Sequence, residues 1–243
     1  MPISLSSMAE GGGTAGIIRY FTQLAQSVPD EERRAALSPF GGTTVVRREP
    51  VGVVGAIVPW NFPQSLIMFK LAPALAAGCT FVLKPAPETV LDAFQLADAA
   101  EEAGLPAGVL SIVTGDAEIG SALVEHPGID KVCFTGSTEV GRGIAETCGR
   151  LLRPVTLKLG GKSAAIVLDD ADLAATAQGL AMASLLHAGQ VCYACSRILA
   201  PRGRYAEVVG AVQSLASTLP AGSPSSGTSV SAGTGSTCAA PPS

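Results

Sequence analysis

Short apolar runs alternate with longer segments of helical spacing through the middle of the chain. The run VGVVGAIV at 51–58 is rich in β-branched residues, as expected of a buried strand. Residues 64–78 carry apolar side chains at helical spacing before Gly78, which suits a C-terminal cap. Further strands are predicted at 80–83, 109–113, 131–134, 155–159 and 164–167, and further helices at 87–103, 119–125, 139–151 and 174–186. This alternation predicts an α/β fold built on a doubly wound parallel sheet.

The pattern differs at the two ends of the chain. Gly11-Gly12-Gly13 is predicted to be a flexible loop because no strand precedes it, and an amphipathic helix is predicted around Ile17 to Val28. Residues 220–243 consist of Pro, Ala, Gly, Ser and Thr, except for Val230 and Cys238. Such a segment cannot bury enough apolar surface to order itself, so a disordered tail is expected there.

Composition narrows the classes of partner. The 243 residues are 47% apolar, which is enough for a sizeable core, and the net charge of -4 gives no electrostatic basis for a nucleic-acid or membrane-surface partner. The most hydrophobic window, 66–83, is interrupted by Lys70, Pro73 and Gly78, which favours a buried helix and strand over a membrane span. The N-terminus has no signal-peptide pattern and the six cysteines have no disulfide-framework spacing, so a cytoplasmic protein is expected.

Cys192 stands in a short loop after a long apolar run. A thiol placed between a Gly-Gln turn and small residues is a candidate nucleophile, although a single cysteine is more often a small core residue. Cys192 and Cys195 also form a C-x-x-C pair, for which a redox dithiol or half of a zinc site is an alternative. The loop by itself therefore leaves several interpretations open.

No metal site is expected elsewhere in the sequence. His126 and His187 each stand alone, which gives little support to a histidine-based site. The run Asp169-Asp170-Ala171-Asp172 is interpreted as a helix cap with a charged first turn, because it directly precedes a predicted helix.

Two predicted strand ends carry residues suited to a nucleotide cofactor. The segment TGSTEVG at 135–141 follows a strand and opens a helix, where small residues and free backbone N–H groups suit a pyrophosphate. Its G-x-x-x-x-G spacing departs from the common dinucleotide fingerprint, and Arg142-Gly143 after it excludes a triphosphate loop. Lys84, at the end of another strand, is either a solvated strand end or a contact to a ribose or phosphate.

Five motifs occur in the order in which one enzyme family carries them. They are Pro59-Trp60-Asn61-Phe62-Pro63, Leu83-Lys84-Pro85, Phe134-Thr135-Gly136-Ser137-Thr138-Glu139-Val140-Gly141, Leu159-Gly160-Gly161-Lys162-Ser163 and Gly189-Gln190-Val191-Cys192. Together they resemble the NAD(P)-dependent aldehyde dehydrogenase superfamily. The resemblance implies a Rossmann-like sheet of the aldehyde dehydrogenase type and an incomplete second α/β catalytic domain. The implied division is an N-terminal helical segment at 1–50, a dinucleotide-binding domain at 51–159, a partial catalytic domain at 160–219 and a low-complexity tail at 220–243.

The resemblance also implies roles for individual residues. Cys192 would be the nucleophile whose thiolate attacks an aldehyde carbon. Asn61, with the backbone N–H of Cys192, would stabilise the oxyanion, a contribution of about 10²–10³ in rate. Hydride would pass to NAD or NADP, and the thioester would then be hydrolysed. Lys84 would reach the adenosine ribose and Ser137 the pyrophosphate; the full implied cofactor set is Pro59, Trp60, Lys84, Gly136, Ser137 and Gly141.

Position 158 departs from the family pattern. Where relatives have Glu-Leu-Gly-Gly-Lys, this chain begins the motif with Lys158, so a lysine replaces the usual general base for thioester hydrolysis. A lysine could act as a base at neutral pH only if its pKa fell by about 3, which corresponds to about 4 kcal/mol. A protonated Lys158 could still favour the Cys192 thiolate. Three functions stay open: thioester formation with slow hydrolysis, acyl transfer to coenzyme A, and an impaired remnant that binds only a nucleotide or a protein partner.

Pro87 and the chain length also depart from the family. Pro87 stands where many relatives carry a glutamate that holds the ribose hydroxyls, so NADP stays open beside NAD. The chain has about half the usual family length and lacks much of the surface through which full-length relatives form homo-oligomers. Because relatives shape the substrate tunnel largely with residues before Val51 and beyond Pro220, the resemblance does not identify the small-molecule aldehyde.

Overall fold

The structure is a computed structural model that describes Met1 and residues 3–219. These residues form two compact units. The larger unit is Ala9–Leu159, and the smaller unit contains Met1–Met8 and the described residues from Gly160 onward. The disordered tail predicted at 220–243 lies outside the described residues.

The helices and strands predicted between 51 and 186 are all present, with ends shifted by a few residues. The strands of the described residues are β1 Glu31–Ala35, β2 Thr43–Arg47, β3 Val53–Ile57, β4 Thr80–Lys84, β5 Leu110–Ile112, β6 Lys131–Gly136, β7 Val155–Leu159, β8 Ala164–Ile166 and β9 Arg197–Leu199. The α-helices are α1 Ile3–Ser6, α2 Gly13–Ser27, α3 Pro63–Ala76, α4 Val90–Glu102, α5 Ala117–Glu125, α6 Thr138–Arg150, α7 Leu173–Ser184 and α8 Tyr205–Thr218.

The larger unit is built on a parallel sheet whose described strands follow the order β5-β4-β3-β6-β7. In the register of the sheet, Ile57 on β3 lies opposite Lys84 on one side and Phe134 on the other. The chain leaves β3 toward β4 and β5, and then returns to the other side of β3 with β6 and β7. The strand order therefore reverses beside β3, which confirms the predicted doubly wound fold.

Both faces of this sheet are covered, because successive side chains of a strand point to opposite faces. On one face the buried strand residues that pack with α3 and α4 are Val54, Ala56, Phe81, Leu83 and Cys133. On the other face the buried cluster that includes residues of α5 and α6 is Val124, Ile129, Val132, Phe134, Ile144 and Cys148. Full burial of a side chain such as Phe81 or Leu83 stabilises the fold by about 1.5–3 kcal/mol. Coverage of both faces explains why these strands are nearly continuous apolar runs.

The glycine-rich segment near the N-terminus differs from the prediction. Gly11-Gly12-Gly13 was expected to be a flexible loop, but a π-helical turn, Ser7–Gly12, is followed directly by α2, and Gly12 has φ -66° and ψ -42°. Glycine adopts helical angles when its neighbours continue the helix. The Ser65 hydroxyl donates to the Ala9 carbonyl oxygen at 2.7 Å, which ties this segment to α3. A tertiary contact thus supplies the order that the local sequence does not.

Residues 31–47 form a two-stranded antiparallel ribbon, so the prediction of a helical segment over 1–50 is wrong beyond Ser27. The β-branched residues of β2 favour extended backbone. Ion pairs cross the ribbon from Arg47 to Glu31 at 3.4 Å and from Arg48 to Glu32 at 2.6 Å. The exposed ribbon is therefore held by pairing between its strands.

In the smaller unit, α7 packs against α8 and β8 pairs in parallel with β9. The Asp172 carboxylate accepts a hydrogen bond from the Ala175 backbone N–H at 2.9 Å, so the predicted helix cap is confirmed. Across the described residues, no helix has both the length and the apolar character needed to cross a membrane. The same residues bring no three potential His, Cys, Asp or Glu metal ligands together.

We expect Gly52→Ala to destabilise the larger unit by about 3 kcal/mol. Gly52 has φ +110°, which an alanine adopts only with strain, and an added Cβ would lie 2.1 Å from Asp130 Oδ2. That oxygen accepts the Val53 backbone N–H at 2.8 Å, so relief of the clash would also break a hydrogen bond to a carboxylate. The measurement is the urea midpoint of unfolding, followed by circular dichroism.

Gly149→Ala is the matched control for this prediction. Gly149 lies in α6 with no atom within 4 Å of an added Cβ. Alanine is favoured over glycine in a helix by about 0.5–1 kcal/mol, so this change should raise the midpoint. If the two substitutions changed the urea midpoint equally, the backbone strain predicted for alanine at position 52 would be contradicted.

Candidate active site

The carboxyl ends of β3, β4 and β6 meet where the strand order of the larger unit reverses. Doubly wound folds bind ligands at this point, outside the carboxyl ends of the strands. Predicted cofactor residues lie at all three ends: Pro59 and Trp60 after β3, Lys84 in β4, Gly136 in β6 and Ser137 after it. The structure thus gathers residues from three separate motifs at one edge of one sheet.

A cleft of about 420 Å³ opens at this edge and is lined by α5 and α6. Ile57, Lys84 and Phe134 line it from the strand ends. The helices contribute mainly small and apolar positions, which are Ala117, Gly120, Ser121 and Val124 from α5 and Val140, Gly143, Ile144 and Thr147 from α6. This volume is in the range of small-molecule sites. The cleft suits a flat, largely apolar group whose polar end lies toward Lys84.

Lys84 is the buried cation of the cleft, with only 5% of its surface exposed. Its Nζ donates to the Pro85 carbonyl oxygen at 3.2 Å. Burial lowers the pKa of Lys84, and the carboxylates of Asp116 and Glu88 oppose that shift. Because an ammonium has three N–H donors, further donors are available for a ligand hydroxyl. The alternative of a solvated strand end is excluded by this burial.

Asn61 is half buried in the loop that joins β3 to α3. This loop is followed by Pro63 at the first position of α3. Glu10 holds the start of that helix, since its Oε2 accepts the backbone N–H of Gln64 at 2.6 Å and of Ser65 at 3.1 Å. A carboxylate at a helix N-terminus satisfies free donors and interacts favourably with the helix dipole. Sequence reasoning missed Glu10 because it lies far from α3 along the chain.

Lys70 and Thr135 form a second contact that sequence reasoning missed. Lys70 Nζ donates to Thr135 Oγ1 at 2.6 Å, which links α3 to the end of β6. Thr135 is 3% exposed, so the contact lies inside the larger unit. A lysine within an apolar helix is the only local signal that could have indicated it.

The glycines of the TGSTEVG segment have different physical roles. An added Cβ at Gly136 would lie 2.4 Å from Phe134 Cζ, so glycine here makes room for the ring that lines the cleft. An added Cβ at Gly141 would lie 2.5 Å from Leu159 Cδ2, so that glycine allows α6 to pack closely on β7. Ser137 caps α6 by accepting the Val140 backbone N–H at 3.3 Å and is exposed.

In the smaller unit, Cys192 lies half buried in a turn closed by the Ala194 backbone N–H and the Val191 carbonyl oxygen at 3.0 Å. The backbone N–H of Cys195 donates to the Ala183 carbonyl oxygen at 2.9 Å. The carbonyl oxygen of Cys195 accepts a hydrogen bond from the buried Ser184 hydroxyl at 2.8 Å. Cys192 therefore lies in a hydrogen-bonded turn, three residues before Cys195, whose backbone is bonded to residues of α7. No helix begins at this C-x-x-C pair, unlike the usual redox motif.

The backbone before the turn is left-handed at three successive residues. His187 and Ala188 have φ 53° and 56°, and Gly189 has φ 76°. Non-glycine residues adopt this region at a cost of about 1–2 kcal/mol each. His187 is buried, and this burial lowers the pKa of its imidazole; the N-terminal amino group lowers it further. The cysteine turn therefore follows a strained segment, as turns at functional sites often do.

Arg197 connects two of the motifs within the smaller unit. Its Nε donates to the Lys162 carbonyl oxygen at 2.9 Å, and its backbone N–H donates to Ser163 at 3.2 Å. The GGKS segment is therefore paired with the end of the cysteine loop. Lys158 lies in the larger unit, on β7, where it is exposed and donates to the Leu159 carbonyl oxygen at 3.2 Å.

Comparison with known proteins agrees with these motifs. A sequence profile of the aldehyde dehydrogenase family matches residues 2–237. The chain belongs to the aldehyde dehydrogenase family. It is 61% identical over 212 residues to geranial dehydrogenase of Castellaniella defragrans, covering 87% of this chain and 44% of that protein. It is 49% identical over 217 residues to phenylacetaldehyde dehydrogenase of Pseudomonas fluorescens, covering 84% of this chain and 41% of that protein.

Solved structures give the same result for the fold. The aldehyde dehydrogenase of Mycobacterium tuberculosis complexed with NAD+ superposes with a TM-score of 0.89 at 48% identity, covering 94% of this chain and 47% of that one. The chain spans less than half the length of these aldehyde dehydrogenases. This coverage agrees with the expected incomplete second domain.

Proposed function

We propose that this chain carries the cofactor site and the nucleophile of an NAD-dependent aldehyde oxidation. The observation that supports the proposal best is the cleft at the strand reversal, which is lined by Lys84, Phe134 and Val140 of two family motifs, while a third motif follows β3 at the same edge of the sheet. Burying an ammonium group costs free energy, so a chain that kept only the fold would gain nothing from the buried Lys84, whose further N–H donors are available to a ligand in that cleft. The complex of the M. tuberculosis relative with NAD+ supports the same cofactor here.

The residues of the larger unit fit a dinucleotide. The apolar walls of α5 and α6 suit a purine ring, and Lys84 suits a hydroxyl-bearing ribose at the end of the cleft. Ser137 and the free N–H groups at the start of α6 suit a pyrophosphate, with Pro59, Trp60 and Gly136 around it. Gly141 serves this site indirectly, by keeping α6 close to the sheet. Bound NAD would supply the acceptor for a hydride.

Cys192 is the proposed nucleophile. Its thiolate sulfur forms a bond to the aldehyde carbon while the carbonyl π electrons move to oxygen, which gives a thiohemiacetal. The Asn61 amide and the Cys192 backbone N–H are the proposed donors to that oxygen. Loss of hydride from the same carbon restores the carbonyl and leaves an acyl group on Cys192 as a thioester. Water then releases the carboxylic acid and returns the thiol.

The named relatives suggest the class of aldehyde to test first. Geranial and phenylacetaldehyde both carry a large apolar substituent. The dehydrogenases named after these two aldehydes are 61% and 49% identical to this chain. We therefore propose apolar aldehydes as substrates. The test is mass spectrometry of the intact chain, quenched in acid after incubation with NAD and phenylacetaldehyde. A thioester on Cys192 supports the proposal, and NAD binding without any adduct would restrict the chain to nucleotide binding.

Lys84→Met should weaken NAD binding by about 10–100-fold in isothermal calorimetry. The change removes charge-assisted hydrogen bonds to the ribose, while methionine keeps the length and apolar stem of a buried side chain. Lys131→Met is the matched control, because Lys131 begins β6 at the opposite end of the sheet. Unchanged NAD affinity in the Lys84 variant would contradict the assignment of the cleft.

A further inference from the structure

The first turn of α3 has no cap from its own sequence. Phe62 occupies the N-cap position, and its side chain makes no capping hydrogen bond. Pro63 follows at the start of the helix without a backbone N–H, and the Leu66 N–H donates to the Phe62 carbonyl oxygen at 3.0 Å. The backbone N–H groups of Gln64 and Ser65 therefore need an acceptor from outside the helix.

Glu10 supplies that acceptor from a distant segment of the chain. One carboxylate oxygen, Oε2, accepts both N–H groups, at 2.6 Å from Gln64 and 3.1 Å from Ser65. Hydrogen bonds to a carboxylate are about twice as strong as those between neutral groups. The Ser65 hydroxyl donates to the Ala9 carbonyl oxygen at 2.7 Å, so the backbone beside Glu10 is also held to α3. One side chain thus caps the first turn of this helix.

Asn61 lies two residues before α3, in a loop that is held at both ends. At the strand end, the Val58 backbone N–H donates to the Lys84 carbonyl oxygen at 3.2 Å. At the helix end, the buried Pro63 begins the turn that Glu10 caps. Only four residues separate Val58 from Pro63, and a proline restricts the backbone of the residue before it. A shift of the first turn of α3 therefore moves the Asn61 backbone with it.

We infer that Glu10 is a positioning residue, which acts on the reaction by holding the Asn61 amide at the place where the oxyanion forms. This inference rests on the proposed function, in which Asn61 donates to that oxygen. A donor stabilises a developing charge best when it is already in place, and a misplacement of about 1 Å can cost about 10²-fold in rate. Without Glu10, the donors of the first turn bind water instead and the loop that carries Asn61 shifts.

Two substitutions separate the reach of Glu10 from its charge. Glu10→Asp keeps the carboxylate but shortens the side chain by one methylene, which withdraws the oxygen from the two N–H groups. The rate of acyl-adduct formation at saturating phenylacetaldehyde and NAD should fall by about 10–100-fold. Glu10→Gln keeps the length and one accepting oxygen, so its rate should fall by less than about 10-fold, because neutral hydrogen bonds are weaker. Intact-mass spectrometry after an acid quench measures both rates.

The same substitution in an Asn61→Ala background shows whether Glu10 acts through Asn61. Asn61→Ala alone should slow adduct formation by about 10²–10³-fold. Adding Glu10→Asp should slow it little further, because the donor that Glu10 positions is already absent. A residue that only stabilises the fold would lower the rate by the same factor in both backgrounds. That result, or a wild-type rate in the Glu10→Asp single variant, would overturn the inference.

Ser65→Ala is the matched control for stability. It removes the hydroxyl's hydrogen bond to Ala9 from the same turn and leaves both N–H bonds to Glu10 in place. Its urea midpoint should fall while its adduct rate equals that of the wild type. If the wild-type chain forms the adduct and Glu10→Asp does not slow it, the proposed function stands and this inference fails. If the wild-type chain forms no adduct, both fail.

Discussion

Cys192→Ser is expected to abolish acyl-adduct formation, with a loss of at least about 10³-fold in the rate of trapping by an aldehyde and NAD. A serine hydroxyl is almost entirely protonated at neutral pH, whereas a thiol is partly ionised and its thiolate is intrinsically more nucleophilic. The substitution changes one atom of a half-buried residue and leaves the turn's backbone hydrogen bond from Ala194 to Val191 in place. Intact-mass spectrometry after an acid quench measures the adduct directly.

Cys195→Ser provides the matched control for this experiment. Cys195 is also half buried and free, and its neighbours hold it through backbone groups that the substitution does not alter. The control should therefore retain the adduct at its wild-type rate. If both serine variants lost the adduct, the C-x-x-C pair would act as a unit and the single-nucleophile assignment would be wrong.

The parallel sheet was predictable because each of its strands is short, apolar and bounded by turn residues. Strands buried on both faces need apolar side chains at nearly every position, so β3 and β4 are short continuous apolar runs, whereas the one helix between them, α3, is longer and has helical spacing. The positions of Lys84 and Ser137 then followed from the fold, since both motifs end a strand. The family resemblance added their roles, which the pattern of apolar residues does not contain.

The exposed ribbon and the tertiary contacts were not predictable in the same way. The ribbon strand Glu31–Ala35 is rich in charged residues, and its pairing depends on partners across the turn. Glu10 and Lys70 reach groups in other elements, so no spacing along the chain indicates them.

Lys158→Glu should convert slow release of the acyl group into efficient hydrolysis. A carboxylate at this position restores the general base that the family pattern carries, and a positioned base contributes about 10²–10⁴ in rate. The substitution is expected to fold, because Lys158 is exposed on β7 and its side chain donates only to the neighbouring Leu159 carbonyl oxygen. The measurement is steady-state NADH production from phenylacetaldehyde, together with the fraction of chain that holds a thioester during turnover.

The Lys158→Gln variant distinguishes the effect of adding a general base from the effect of removing the positive charge. Glutamine removes the positive charge but supplies no group that takes a proton from water, so its thioester should accumulate as in the wild type. Adding coenzyme A to the wild-type chain tests the other route, since a thiol that releases the acyl group as its own thioester needs no base at position 158. If the glutamate variant turned over no faster than the glutamine variant and coenzyme A released the acyl group, the chain would be an acylating enzyme rather than a hydrolytic one.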